Sequence, residues 1–560
     1  MNNHDLLNQF KKIVGSKYVL NGAKNTERFR RGWRSGIGDA ICVIQPGSLL
    51  EQWKILKECI AANKIIIMQA ANTGLTEGST PNGTYDRDVV IINTRRMDKI
   101  YILNNGHQTL CMPGSTLFSL ENLLKPLGRQ PHSVLGSSCI GSSVVGGVCN
   151  NSGGALIERG PSYTQLSIFA KITEKGELKL INNLGIDLGS DPETILSRLE
   201  SGDFSLTQEN PTNRKGSDTE YINIVRDIDA ITPARFNADP RCLYESAGCA
   251  GKLAVFAVRL DTYPQNKIQK IFYIGTNNTK DLTEIRKNIL SNFKKLPVSG
   301  EYMHRDLFDI SERYGKDTVM MINFFGTKKL PIIFAIKGAI DSRLNKIPGF
   351  KNFIDRCLQF FTNLWPRILP KRLMEYRDKY EHHLILKMYD EGIGEAITFL
   401  TKFFSNRDGS FFACNEKEGK MAELNRFAAA GATARFPKIK SKIAEDVMAL
   451  DFSLRRNDEK WYENLPEKIN EKLIHKLYYG HFFCYVMHQD YIFKKGVNVP
   501  EVKKEILKIL DQRSAEYPAE HNVGHMYLAK PSLSSFYKKI DPTNSFNPGI
   551  GKMSKNKNYF

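Results

Sequence analysis

A chain of 560 residues is too long for one ordinary domain, so two or three packed units with substantial cores are expected. It is 41% hydrophobic and 10% aromatic, which excludes a disordered chain, and 79 Lys and Arg against 60 Asp and Glu leave a formal charge of +19 that favours polyanionic partners, phospholipid or nucleic acid. The ten cysteines contain no CxxC pair and several lie in apolar or Gly-rich runs, which argues against a disulfide framework or zinc finger and for reduced thiols in a cytoplasmic protein.

The opening residues, MNNHDLLNQFKKIVG, lack the apolar core of a signal peptide, and apolar runs such as IIIM fall far short of the ~20 residues a spanning helix needs. The expectation is a protein that does not cross a membrane but can lie on one. Up to about residue 260, short β-rich runs (Ile65 to Met68, Val89 to Ile92, Leu253 to Leu260) alternate with turns and with amphipathic stretches at Leu49 to Ala62 and Leu117 to Leu127. This predicts an α+β domain. A second α+β unit begins with IFYIG at Ile271 to Gly275 and the amphipathic LTEIRKNILSNF. Between about 304 and 380 the chain turns basic and aromatic, with Pro331, Pro348, Pro366 and Pro370 breaking any regular sheet. A strand-like HHLILKM at His382 to Met388 returns to the second unit, which the basic RFPKIKSK at Arg435 to Lys442 interrupts again. The last fifty residues are turn-rich and are expected to pack back onto an existing domain.

Three segments carry chemistry. IIIMQAANTGLTEGSTP runs a buried-strand signal into a loop of Ala, Asn, Thr, Gly and Ser, where little side-chain bulk keeps backbone N–H groups from a diphosphate. It is neither a Walker A loop nor a GxGxxG turn. GSSCIGSSVVGGVCNNSGG, Gly136 to Gly154, and ESAGCAGKLAVF, Glu245 to Phe256, repeat the same small-residue chemistry. Three such loops in one domain, each adjoining a strand, point to a long dinucleotide.

From Arg343 to Leu373 seven basic residues (Arg343, Lys346, Lys351, Arg356, Arg367, Lys371, Arg372) face one acidic residue, Asp355, while Phe350, Phe353, Ile354, Cys357, Phe361 and Leu364 recur at helical spacing. An amphipathic helix with cationic flanks rests in the headgroup layer, and each Lys or Arg near an anionic leaflet adds about 1 kcal/mol, so these residues with Lys438, Lys440 and Lys442 predict reversible attachment to anionic phospholipid. A nucleic-acid partner would call for a stacking platform or a known binding motif. None of the usual ones occurs, so nucleic acid is not expected.

The run of segments QAANTGLTEGSTPNG, PHSVLGSSCIGSSVVGGVCNNSGG, RGPSYTQLSIFAKI, ESAGCAGKLAVFAVRLDT, GEYMHRD, KYEHH, HKLYYGHFFCYVMHQDY and YPAEHNVGH resembles the respiratory, quinone-dependent D-lactate dehydrogenases of Gram-negative bacteria. That family lies within the flavoprotein superfamily of vanillyl-alcohol oxidase and p-cresol methylhydroxylase. The resemblance implies an FAD-binding domain of the p-cresol methylhydroxylase type (1–260 with 512–560), an α+β cap over the flavin (261–303, 380–417 and 443–511) and an inserted basic membrane-binding region (304–379 and 418–442). It implies non-covalent FAD lined by Ala70, Ala71, Asn72, Thr73, Gly74, Gly78, Ser79, Gly136, Ser143, Gly153 and Val255, and an enzyme at the cytoplasmic face of the inner membrane that oxidises D-lactate and passes electrons to quinone. A related dehydrogenase for D-2-hydroxyglutarate or glycolate is the alternative.

Oxidising a 2-hydroxy acid needs a hydride acceptor, a base for the hydroxyl proton and a cation for the carboxylate. In related dehydrogenases with this cap, two histidines seven positions apart and the Glu of a Glu-His-Gly motif hold a divalent metal, and the motif's His is the base. His481, His488, Glu520 and His521 match that pattern, although FFCYVM fills the gap between the histidines and Asn522 replaces the Gly. The resemblance thus implies a metal such as Zn or Mn on His481, His488 and Glu520, with His521 as base. For the carboxylate, Arg305 in GEYMHRD and Arg455 or Arg456 in SLRRND are candidates, since a guanidinium matches a carboxylate at two points. His382 and His383 are adjacent in a predicted strand, so at most one faces the flavin.

Overall fold

The computed structural model describes residues 2–132, 141–205, 213–266, 268–325, 330–344, 347, 350 and 352–560. Its first sheet holds Val19–Asn21 (β1), Cys42–Ile44 (β2), Ile65–Gln69 (β3) and Val89–Asn93 (β4) in the order β1-β2-β4-β3. β2, β4 and β3 run parallel, and β1 pairs antiparallel with β2. Parallel strands are covered on both faces. Accordingly Ile66, Val90 and Ile92 pack with Trp53 and Leu56 of the helix Leu49–Ala61, while Ile65, Ile67, Val89 and Ile91 pack with Phe29 on the other side.

A second, antiparallel sheet follows: Ile100–Leu103 (β5), Gln108–Cys111 (β6), Ser167–Ile172 (β8), Leu178–Asn182 (β9) and Ala254–Asp261 (β10), in the order β5-β6-β10-β8-β9. Arg129–Gln130 (β7) pairs with Tyr263–Pro264 (β11) beside it. The chain's tail returns to the first sheet, where Ile66 N–H donates to the Ser545 carbonyl and Asn547 N–H to the Ile66 carbonyl (2.9 Å each).

The third sheet has seven antiparallel strands: Gln269–Thr276 (β12), Ser299–His304 (β13), His382–Tyr389 (β14), Ser410–Ala413 (β15), Ala444–Ser453 (β16), Leu473–His481 (β17) and Val486–Lys494 (β18), ordered β15-β12-β14-β13-β17-β18-β16. Alternation sends Phe272, Ile274, Tyr302, Leu384 and Tyr478 into a core shared with the helices Thr279–Asn292 and Val499–Gln512. Tyr273, Met303, Ile385 and Leu477 face the opposite side, under Arg305–Tyr314 and Glu416–Ile439. The proline-rich stretch is helical: Lys316–Phe325, Leu330–Leu344, Phe353–Leu364 and Lys371–Lys379. Pro331 enters a helix at its first turn and Pro370 stands just before one, where a missing N–H costs nothing. No helix among the described residues is long and apolar enough to cross a membrane.

Candidate active site

The loop after β3 is held open from outside. Asn72, at φ 56°, donates from Nδ2 to the Arg31 carbonyl (2.9 Å) and accepts from Ser79 Oγ (2.9 Å), while Ala70 O accepts from Asn93 Nδ2 (2.9 Å). Thr73 Oγ1 lies 3.3 Å from Ser142 Oγ, which joins this loop to the second small-residue segment. Between Ala71 and Ser79 no backbone N–H donates to another described residue, and a Cβ on Gly74 would meet nothing within 4 Å. A row of N–H groups with no acceptor among the described residues, on a loop without bulk, fits a diphosphate. Ser143 caps the helix Val144–Cys149 by accepting from Gly146 N–H (2.8 Å), and Val255 lies buried at a β-bulge of β10. A Cβ on Gly78 would stand 2.9 Å from Asn522 Nδ2, and one on Gly153 would stand 2.5 Å from Glu520 Oε1. The dinucleotide segments therefore abut the Glu520 region directly. Gly136 lies outside the described residues.

β17 and β18 form a hairpin through the turn Phe482–Cys484 and Tyr485, which has φ 51°. Tyr479 pairs with His488 and His481 with Val486, so the seven-residue spacing puts both histidines on one face, with ring centroids 5.1 Å apart. Glu520 reaches them from the tail: its Oε2 is 3.3 Å from His481 Nε2 and 3.7 Å from His488 Nε2. Tetrahedral ligands about 2.1 Å from an ion sit roughly 3.4 Å from one another. One donor atom from each of the three residues lies within 4.8 Å of the others, so this donor set fits a divalent ion such as zinc.

The surrounding charges are arranged in layers. His481 Nδ1 donates to Glu301 Oε1 (2.6 Å), whose other oxygen pairs with Arg426 Nη2 (2.8 Å). Arg235 Nη2 donates to Glu520 Oε1 (2.6 Å) and to the Gly154 carbonyl. Asp451 Oδ2 accepts from Glu520 N–H (2.8 Å), and its carboxylate lies 3.5 Å from His488 Nδ1 and 3.8 Å from His521 Nε2. Burial disfavours charge on His481, but Glu301 and Glu520 on its two nitrogens outweigh it and raise its pKa to about 10. Burial and the charge of His481 hold His488 down at about 3. Burial likewise opposes ionisation of Glu520, yet His481 and Arg235 keep it far below the usual carboxylate range.

Other candidates sit elsewhere. Arg305 opens its helix and pairs with Glu381 (3.2 Å). Arg455 forms a backbone bridge with Pro233 and its Nε is buried without a hydrogen-bond partner among the described residues, while Arg456 donates to the carbonyls of Thr232 (3.0 Å) and Ile224 (2.5 Å). His382 and His383 do point to opposite faces: His382 bonds Tyr302 (2.8 Å), and His383 packs on Tyr273 and Phe308. Glu301, Asp451, Arg235 and Arg426 were not singled out by sequence reasoning. For Glu301 and Asp451 the sequence trace is a charged residue inside an apolar strand and for Arg426 one inside a small-residue helix, whereas Arg235 lies in irregular chain with no such trace.

A second surface lies on the inserted helices. The helix Phe353–Leu364 is inverted, with Asp355, Gln359 and Thr362 buried and Phe353, Phe360, Phe361 and Leu364 exposed by 43%, 62%, 56% and 69%. Asp355 takes Lys337 (2.9 Å), Lys438 (3.3 Å) and Arg435 (3.4 Å), so part of the positive charge expected to face lipid is spent inside the insert. Lys346 and Lys351 lie outside the described residues.

Residues 40–180 match the model of an FAD binding domain, and residues 271–559 match that of the membrane-binding region of D-lactate dehydrogenase. The chain is 58% identical over 559 residues to the quinone-dependent D-lactate dehydrogenase of Escherichia coli (strain K12), covering 100% of this chain and 98% of that protein. The chain belongs to the quinone-dependent D-lactate dehydrogenase family. A Haemophilus influenzae protein of the same name is 53% identical over 100% of this chain and 99% of its own length. Outside this family, p-cresol methylhydroxylase with substrate bound shares the fold at TM-score 0.56 and 12% identity, over 98% of this chain and 97% of that one. FAD is this chain's cofactor, and the matched FAD binding domain spans the first two small-residue segments.

Proposed function

We propose that this chain oxidises D-lactate to pyruvate and delivers the electrons to a respiratory quinone while resting on anionic phospholipid at the cytoplasmic face of the inner membrane. The observation that carries this reading is the junction of two sites. Glycine at 153, in a dinucleotide segment, is packed against Glu520 of the two-histidine cluster, so a cofactor on one and a hydroxy acid on the other would meet.

When bound, FAD supplies the hydride acceptor, and a divalent ion on His481, His488 and Glu520 supplies a Lewis acid for the substrate oxygens. His521 takes the hydroxyl proton; its side chain is 34% exposed and lies 3.8 Å from Asp451, so it can reach both substrate and solvent. Arg426 and Arg455 each have a buried Nε with no acceptor among the described residues, and Arg426 also stands beside Glu301 of the histidine cluster, which suits it to take the lactate carboxylate, with Arg455 as the second candidate. Arg235 balances the charge of Glu520, so the pocket does not repel an anionic substrate. The exposed apolar side of Phe353–Leu364 supports contact with acyl chains, and the net charge of +19 supports an anionic leaflet.

Anaerobic mixing of the yellow holoenzyme with D-lactate, L-lactate, D-2-hydroxyglutarate and glycolate tests the substrate. D-Lactate is expected to bleach the flavin fastest. An oxidised flavin with D-lactate, or equal bleaching by L-lactate, would overturn the assignment, and faster bleaching by D-2-hydroxyglutarate or glycolate would transfer it to that acid.

A further inference from the structure

We propose that Glu301 and Asp451 are positioning residues that aim the two histidines: each carboxylate receives the Nδ1–H of one ring and so turns that ring's Nε2 toward Glu520. This rests on the reading of His481, His488 and Glu520 as a metal centre. The register of the sheet carries the inference. Glu301 of β13 is the direct cross-strand partner of His481, and Asp451 of β16 is the direct partner of His488. Opposite residues on neighbouring antiparallel strands share a face with Cβ atoms about 5 Å apart, so the fold builds the same carboxylate–imidazole pair twice, on the two outer sides of one hairpin.

The two pairs differ in reach. The longer Glu301 closes on Nδ1 at 2.6 Å and is itself braced by Arg426 at 2.8 Å. The shorter Asp451 stays at 3.5 Å from its ring. One of its oxygens is engaged by Glu520 N–H, while Oδ1 is buried and has no hydrogen-bond partner among the described residues. That oxygen is the acceptor left for His488 Nδ1–H. A carboxylate on the far nitrogen fixes the tautomer and raises the basicity of a ligating imidazole, and losing one typically weakens metal affinity 10–100-fold.

The test uses the full-length FAD-loaded chain with Zn²⁺ or Co²⁺. Chelator competition gives the affinity, and the Co²⁺ ligand-field spectrum reports the geometry. E301Q and D451N are each expected to weaken Zn²⁺ binding 10–100-fold and to change the Co²⁺ bands, with flavin content unchanged, whereas E301D and D451E recover part of the loss. Variants that bind within threefold of the unaltered chain with the same Co²⁺ spectrum would overturn the proposal while leaving the metal reading intact. Failure of the unaltered chain to hold either ion would overturn the metal reading and the proposal with it. Should E301Q lose flavin by freeing Arg426, the double variant E301Q/R426M removes the stranded charge, and it is expected to show the same metal defect; normal affinity in it would sink the role of Glu301.

Discussion

Three histidines stand around Glu520, and their surroundings sort them by what each can do with a proton. His481 is locked between two carboxylates and His488 is enclosed and held neutral, whereas His521 keeps a third of its side chain in solvent beside Asp451. Positioned general bases contribute about 10²–10⁴-fold, so H521N is expected to slow anaerobic flavin reduction by D-lactate by that factor in stopped-flow, with D-lactate still perturbing the flavin spectrum on binding. A reduction rate within threefold of the unaltered chain would remove His521 from the proton path. These residues were legible because spacing along a hairpin and an adjacent Glu-His pair survive in one dimension. The partners were not: Glu301 lies 180 residues from His481 and meets it only through strand register, and Arg235 lies 285 from Glu520 and meets it only where two loops come together in the fold. Arg305 and Arg456 show the converse. Their chemistry was right for a carboxylate, but a neighbouring Glu381 and a pair of backbone carbonyls had already claimed them.

At the scale of elements, buried strands announced themselves within a residue or two: the expected Ile65 to Met68, Val89 to Ile92 and His382 to Met388 are Ile65–Gln69, Val89–Asn93 and His382–Tyr389. The insert was harder, because prolines rule out a sheet interior without revealing that helices start on them. Its helix Phe353–Leu364 carries Asp355 inward against Lys337, Arg435 and Lys438, and the aromatic side left exposed by this inversion suits a cover other than water. Fully burying one such side chain is worth about 1.5–3 kcal/mol. The triple variant F360S/F361S/L364S is therefore expected to lower partitioning onto anionic vesicles at least tenfold in co-sedimentation, with an unchanged melting temperature. Because several cations are consumed in internal pairs, part of the binding should persist at 0.5 M salt. Complete release by salt with no effect of the triple variant would make the attachment purely electrostatic.

The whole molecule is tied together, and made sensitive to pH, by ionisable groups that folding buries. The tail is latched by Lys252 and Asp541, both wholly buried and 3.6 Å apart, which bind the third small-residue segment to the strand-like return beside β3. Across the fold, burial lowers His132, His382 and His383 to about 3 each. The ordinary value is 6.5, so above that pH these rings are neutral in both folded and unfolded chains and contribute no pH dependence. As pH falls below 6.5 the unfolded chain binds protons that the folded one refuses, and stability is lost by up to about 1.4 kcal/mol per pH unit for each ring, until the folded values near 3 are reached. Asp490 runs the other way: burial raises it to about 6, so the folded state gains a proton first and offsets part of one histidine's loss. Thermal melts from pH 7.5 to 4.5 should show a midpoint that rises as pH falls to 6.5, because His481 keeps its proton up to about 10 in the folded chain and favours folding below that value, and a steep fall beneath 6.5 as the buried neutral rings take over. H383F, which keeps a ring against Tyr273 and Phe308, should leave the pH 7.5 midpoint close to that of the unaltered chain and make the acid slope shallower by one proton; an unaltered slope would mean that His383 is not held neutral in the folded protein.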